Sequence, residues 1–557
     1  MGIPSYFAHL VKNHRSIIKK ISTLKNPKMD NLYLDCNSFI YDALRNINSN
    51  EPKYKNVEDY INIIEKKIIE DVSVNISKCI KEINPTKRVF IAFDGVAPIA
   101  KLNQQRNRRY MSIFDEKNKN IENSSNENIY NWNKSSITPG TIFMNKLSIE
   151  LTKFFNNPTN FGIEQIIVST SNDPGEGEHK IYNHIRNDLK YHKDTQTVIY
   201  GIDADLIMLT INHLHISNHL YLYRETPEFI KSIDKTLNPN EKYILDIPLL
   251  AKTIIYELSE NDISIDKNND YMCKIENISL DSNILFDYIF ICFFLGNDFL
   301  PHFPALNIRT NGIDNLINGY KHVFSNSSET LTINREIKWK NVRKYIEYLS
   351  QNELEFIKNE YVQRDKMAQR LKYTSSNNAN DSTLMLPLKE REQELYINPN
   401  EDGWESRYYK LLFNTKINNE RCKEICTNYL EGIEWTMKYY SGDCANWRWK
   451  YNYVYPPLLS DLLKFIPYFD HTFIPLEKCN PVSQLTQLCY VLPKESMDLI
   501  PSKLRQSLLN KYPEWYNCDY IFIWAFCKFL WESHIDLPNI DINTLENHVN
   551  IYINKNV

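Results

Sequence analysis

Glu176 and Glu178 stand two residues apart in Asp173-Pro174-Gly175-Glu176-Gly177-Glu178-His179-Lys180, between glycines and where a helix should begin. An apolar run, Ile166-Ile167-Val168, precedes them and reads as a buried strand; Ile181, Ile185 and Leu189 follow at helical spacing. Acids at a helix start are often no more than favourable partners of the macrodipole. The glycines point further, because they let backbone approach a metal or a phosphate without steric cost. A second acid pair, Asp203 and Asp205, closes the next apolar run, Thr195 to Tyr200. Ligand sites of open α/β sheets lie at the carboxyl ends of strands, so two such pairs point to a divalent metal site.

Other strands end the same way. Asn31 to Leu34 runs into Asp35, and Arg88 to Phe93 runs into Asp94. An amphipathic helix is predicted over 57–84 between them, with Ile61, Ile64, Ile68, Val72 and Ile76 on its apolar positions. The alternation of strand and helix predicts an α/β core with a mainly parallel sheet. After Asp94, a helix starting at Pro98 would carry Lys101, Gln105, Arg108 and Arg109 on one face. Such a cluster of donors beside carboxylates suits a phosphate, since guanidinium forks match its oxygens. A polar excursion is expected over 115–136, and an apolar helix from Asn283 to Leu295 stopping at Gly296 ahead of Asp298.

At 557 residues the chain should hold more than one domain. Its net charge of −4 gives no global attraction to nucleic acid, so any such binding must be local. No stretch is apolar for long enough to span a membrane, and the amino terminus lacks a secretory core. The 11 cysteines form no repeated C-x-x-C pattern; Cys422 and Cys426 are expected as packed thiols. A reduced, intracellular protein is expected, in cytoplasm rather than nucleus.

These segments together resemble the Xrn family of 5′→3′ exoribonucleases. The matching stretches are YLDCNSFIYDA (33–43), FIAFDGVAPIAKLNQQRNRR (90–109), SITPGTIFM (136–144), DPGEGEHKI (173–181), YGIDADLIML (200–209) and FFLGNDFLPH (293–302). A second block matches at Tyr429 to Trp435, Tyr439-Tyr440, Trp447-Arg448-Trp449 and Tyr453 to Asp461. The resemblance implies a nuclease core related to PIN and flap-endonuclease folds over 1–330. It further implies a mostly helical second region at 401–557 that walls the active site. Between the two, 331–400 is expected as a linker segment, because its polar run Ser375 to Ser382 reads as one. The chain ends near the close of that block, so a compact, monomeric catalytic core without further carboxyl-terminal domains is expected.

Carried over motif by motif, the family's metal-binding and catalytic acids fall on Asp35, Asp94, Glu176, Glu178, Asp203, Asp205 and Asp298. Its 5′-phosphate pocket falls on Lys101, Gln105, Arg108 and Arg109. A base-stacking histidine of the family is Tyr41 here, an arginine is Ile99, and the stacking tryptophan falls on Trp449, with Trp447 the alternative. The aromatic residues of the second block taken singly read as core. The implied activity is processive hydrolysis of single-stranded, 5′-monophosphorylated RNA with two Mg²⁺ ions (Mn²⁺ can serve). Ions about 4 Å apart would neutralise the acids, one activating water and the other stabilising the leaving oxygen. A flap-type DNA nuclease shares this metal logic, and an inactive RNA-binding scaffold is the alternative outside enzymes.

Overall fold

The computed structural model describes residues 2–20, 28–48, 56–122, 132–225, 235–238, 241–259, 275, 277–373, 383–476 and 479–556. They fall into two compact units that interleave along the chain. A sheet unit takes residues 11–248, 479–517 and 538–557; a helical unit takes 1–10, 249–478 and 518–537. Residues 479–517 and 538–557 of the expected second region fold with the sheet.

The described residues of the sheet unit form seven strands: β1 (Ile18–Lys20), β2 (Asn31–Asp35), β3 (Arg88–Ala92), β4 (Gln165–Ser169), β5 (Thr197–Tyr200), β6 (Leu220–Glu225) and β7 (Lys242–Asp246). Their order is β1-β7-β6-β5-β2-β3-β4, with β6, β5, β2, β3 and β4 mutually parallel and β7 antiparallel to both its neighbours, β6 and the edge strand β1. The antiparallel edge follows no motif of the sequence. From β2 the chain steps outward to β3 and β4, and β5 and β6 fill the other side. The topological switch point thus lies between β2 and β5, where a crevice opens at the carboxyl ends.

Strand β2 is covered on both faces, as a central parallel strand must be. Successive side chains alternate: Leu32 and Leu34 enter one core, whereas Tyr33 meets Phe90 and His184 on the other side. The first core is filled by Ile64, Ile68, Val72 and Ile76 of helix α2 (Val57–Ile83) and by Phe143, Leu147 and Leu151 of α4 (Ile142–Phe154). Three other helices carry the site: α1 (Asn37–Asn48), α3 (Ile99–Glu122) and α5 (Gly177–Asn187), with α6 (Asp205–His213) behind β5. Of the expected excursion at 115–136, α3 occupies the part to Glu122, and 123–131 lie outside the described residues.

Thr141 fixes how α4 starts. Its Oγ1 accepts from the Met144 N–H at 3.3 Å and donates to the Ser136 carbonyl at 2.6 Å, and the side chain is buried. Thr141→Ala is therefore expected to cost about 0.5–2 kcal/mol in urea unfolding, the usual range for a lost cap. No change in stability would mean that another group caps the helix.

In the helical unit, α7 (Ser282–Cys292) is buried from Leu285 onward and runs into a short 3₁₀ turn, Phe293–Leu295, that ends at Gly296 with φ +82°. The span expected as a linker holds α8 (Trp339–Tyr373), 35 residues long, with Trp339, Tyr345 and Ile346 fully buried. Its hydrophilic appearance comes partly from charges that are buried in pairs. Arg364 donates to both carboxylate oxygens of Glu394 and to the carbonyls of Phe526 and Cys527. The run Ser375 to Ser382 lies outside the described residues. On α9 (Asn419–Ser441), Cys422 and Cys426 are buried with their sulfurs 4.0 Å apart. Among the described residues no helix is long and apolar enough to cross a membrane.

Candidate active site

Because the central strands run parallel, each delivers its following residues to one edge of the sheet. Asp35 ends β2, Asp94 lies just past β3, Glu176 and Glu178 open α5 after β4, and Asp203 and Asp205 follow β5. Asp94 is held from two sides. Asn37 at the start of α1 donates to its Oδ2 and accepts from its backbone N–H at 3.2 Å; Gly177 N–H donates to its Oδ1 at 2.7 Å. Asn37 is thus a positioning residue, marked in the sequence only as an amide two residues past the acid of β2.

The turns after β3 and β4 are laced together. Gly95 N–H donates to the Gly175 carbonyl at 2.8 Å and Gly175 N–H to the Val96 carbonyl at 2.7 Å. A Cβ at Gly95 would sit 1.8 Å from the Asp173 carbonyl oxygen, so only glycine permits this approach. Lys180 completes the lacing. Its buried ammonium donates to the carbonyls of Phe93 and Thr170, each at 2.7 Å, and burial pulls its pKa down to about 8 against the opposing charge of Asp173.

The carboxylates crowd one another out of water. Burial, then Asp94 and Asp203, push the Asp35 carboxyl well above its usual range; burial and then Asp205 do the same for Glu178. Glu176, Glu178 and His179 bring ligand atoms within 4.8 Å of one another. Burial holds the His179 imidazole well below its ordinary pKa, so it stays neutral, and Arg186 and Lys101 add to this. Asp35 Oδ1 is buried without a hydrogen-bond partner. A buried carboxylate oxygen with no donor, beside further oxygen ligands, fits a hard divalent cation.

Gly177→Ala probes this geometry without altering charge. A Cβ there would lie 2.7 Å from Asp35 Oδ1, forcing the carboxylate aside. The hydrolysis that the family resemblance implies is expected to slow roughly tenfold with the fold retained, since sub-ångström placement controls rate. Wild-type turnover would show that Asp35 tolerates displacement.

The basic face borders the same crevice. Lys101, Gln105, Arg108 and Arg109 line one cavity with Asp35, Asp94, Glu176, Glu178 and Asp203; its volume is about 860 Å³. Lys101 is ion-paired to Glu176. Arg109 is braced by donating to Thr138 Oγ1 at 2.6 Å, and burial lowers its pKa while Tyr41 opposes the shift. Arg108 is exposed toward the cavity. Two more buried polar atoms of this lining, Ser38 Oγ and Gln105 Oε1, have no hydrogen-bond partner. Tyr41, 46% exposed, lines the cavity too. Ile99 does not: it is buried in an apolar cluster with Val96, Leu102, Leu488 and Val491, where a cation could not stay solvated.

Asp298 and Trp449 belong to the helical unit. There Asp298 Oδ1 accepts from the Gly2 N–H at 3.2 Å. Trp449 stacks on Trp435 with ring centroids 5.2 Å apart, donates through Nε1 to Glu431 at 3.2 Å, and is 8% exposed. Trp447 is only half-buried, whereas Trp435, Tyr439, Tyr440, Tyr451 and Tyr455 are core.

Comparison with known proteins agrees with this layout. The model described as XRN 5′-3′ exonuclease N-terminus matches residues 1–226, and that described as Xrn1 helical domain matches 279–396 and 388–554. The chain belongs to the XRN 5′-3′ exonuclease family. It is 27% identical to 5′-3′ exoribonuclease 1 of Saccharomyces cerevisiae, over 92% of this chain and 40% of that protein. It is also 27% identical to the 5′-3′ exoribonuclease 2 homolog of Drosophila melanogaster, over 97% of this chain and 70% of the relative. For 5′-3′ exoribonuclease 2 of Arabidopsis thaliana the figures are 25%, 97% and 66%. This XRN-family chain thus spans less than half of the yeast relative. Membership implies divalent metal use, in keeping with the acidic cluster at the strand ends.

Proposed function

We propose that the chain is a processive 5′→3′ exoribonuclease that hydrolyses single-stranded RNA bearing a 5′ monophosphate, releasing nucleoside 5′-monophosphates. The observation that carries the reading is the shared cavity: carboxylates from four strand ends and four phosphate-type donors of α3 line one space. Asp35, Asp94, Glu176, Glu178, Asp203 and Asp205 would hold two Mg²⁺ ions, or Mn²⁺ in their place. Bound there, the ions would neutralise the acids, activate water and stabilise the departing 3′ oxygen. Roles for Asp298 as a further ligand and for Trp449 as a base contact rest on motif resemblance alone.

The remaining work falls to side chains. Arg108 and Arg109 grip the terminal phosphate, with Gln105 beside them. Lys101, about two helical turns from Arg108 and nearer the acids, spans the gap between phosphate and carboxylates. Their fixed distance along α3 sets which phosphodiester lies over the acids, so cutting is counted from the end. Tyr41 offers a π-face that accepts any base. The test uses one 3′-labelled RNA carrying either a 5′ phosphate or a 5′ hydroxyl, incubated with Mg²⁺ and again with EDTA. Degradation of the phosphorylated form alone, and only with metal, is expected. Equal use of both ends, or activity in EDTA, contradicts the reading.

A further inference from the structure

Arg224 lies near the carboxyl end of β6, beside β5, and is 6% exposed. Pairing of β5 with β6 ends at Tyr200 opposite Tyr223, and one more ladder bond follows, from Gly201 N–H to the Tyr223 carbonyl at 3.3 Å. The chain then leaves the sheet through Ile202 and Asp203. At that point Arg224 reaches across: its Nη2 donates to the Ile202 carbonyl at 2.6 Å. Burial pulls the guanidinium down to about 10, and Asp203 is the first charge that opposes this. A buried cation therefore holds the backbone immediately before Asp203, a cavity-lining acid, and three residues before Asp205, the first residue of α6.

We propose that Arg224 is a positioning residue of the carboxylate cluster, fixing the Gly201–Asp205 turn so that Asp203 and Asp205 are preset for a divalent cation. This rests on the metal-dependent reading above. The side chain carries two influences of opposite sign. As a positive charge it competes with a metal, so its loss should tighten binding. As a fixed hydrogen-bond donor it presets the ligands, so its loss should weaken binding. Positioning dominates, because a guanidinium fork is rigid while its charge is shared with Asp203.

Mn²⁺ titration by calorimetry on the full chain without RNA separates these effects. Arg224→Met is expected to weaken Mn²⁺ binding about tenfold or more, the range seen when a residue orienting metal ligands is lost. Arg224→Lys, retaining charge and one donor, should fall between. In turnover, Arg224→Met should lower kcat at limiting Mn²⁺, recover at high Mn²⁺, and leave KM for RNA unchanged. Tighter or unchanged Mn²⁺ binding in Arg224→Met overturns the proposal. If that variant does not fold, wild-type Mn²⁺ affinity in Arg224→Lys overturns it instead. Failure of the wild-type chain to bind Mn²⁺ would strike the metal-dependent reading itself.

Discussion

Asp203→Ala is expected to abolish RNA cleavage while leaving the folded chain and most of its RNA binding in place. The carboxylate lines the cavity beside Asp35, whose own carboxyl it helps to push upward. A metal ion contributes several kcal/mol of charge stabilisation to phosphoryl chemistry, so losing one ligand should slow turnover at least about a thousandfold. Stability should not follow. Acids crowded in a buried site repel one another, and the repulsion relieved by removing Asp203 offsets the loss of the charge that faces the buried Arg224. Glu178→Gln tests the same point more sharply, because burial and Asp205 already disfavour the Glu178 anion. Its thermal midpoint is expected to match or exceed wild type while activity disappears. Full activity of either variant with Mg²⁺ as sole metal would rule out the two-metal mechanism.

Arg108→Ala is expected to erase discrimination between RNA ends far more than it weakens RNA binding. A charge-assisted contact to a phosphate is worth about 1.5–3 kcal/mol, which corresponds to a loss of preference of roughly tenfold to a hundredfold. The exposure of Arg108 keeps the effect toward the lower bound, since solvent screens the pair. Arg108 is a cleaner probe than Arg109, whose guanidinium also braces Thr138. The measurement is the ratio of kcat/KM on 5′-phosphate and 5′-hydroxyl RNA. An equal loss on both substrates would make Arg108 a general backbone contact.

Much of the site is legible in the sequence because its parts are local. An acid after an apolar run marks a strand end, and in a parallel sheet strand ends share one edge. Asp35, Asp94, Glu176, Glu178, Asp203 and Asp205 can therefore be grouped from the order of residues alone, and the α3 face follows from helical spacing. The helix expected over 57–84 forms at 57–83. The supporting residues are not legible in this way. Asn37, Lys180 and Arg224 act through carbonyls or carboxylates distant in sequence, and no periodicity reports such partners. Nor does any sequence pattern reveal that 479–517 and 538–557 return to the sheet unit, where Arg106 donates to the carbonyls of Trp515 and Pro538. Helix α8 resembles a linker only while its polar composition is weighed above its apolar positions. Trp339, Val342, Tyr345, Ile346 and Leu349 carry the helical period, while Arg364 is buried against Glu394.

The central claim is that chemistry occurs one nucleotide from a phosphate-bearing end. Uniformly labelled, 5′-phosphorylated RNA should be incubated with Mg²⁺ and its products separated by chain length within the first few turnovers. Nucleoside 5′-monophosphate is expected as the sole short product from the earliest time point, with Asp203→Ala yielding none. Oligonucleotides released from the interior of the strand, or mononucleotides bearing a 3′ phosphate, would contradict the claim.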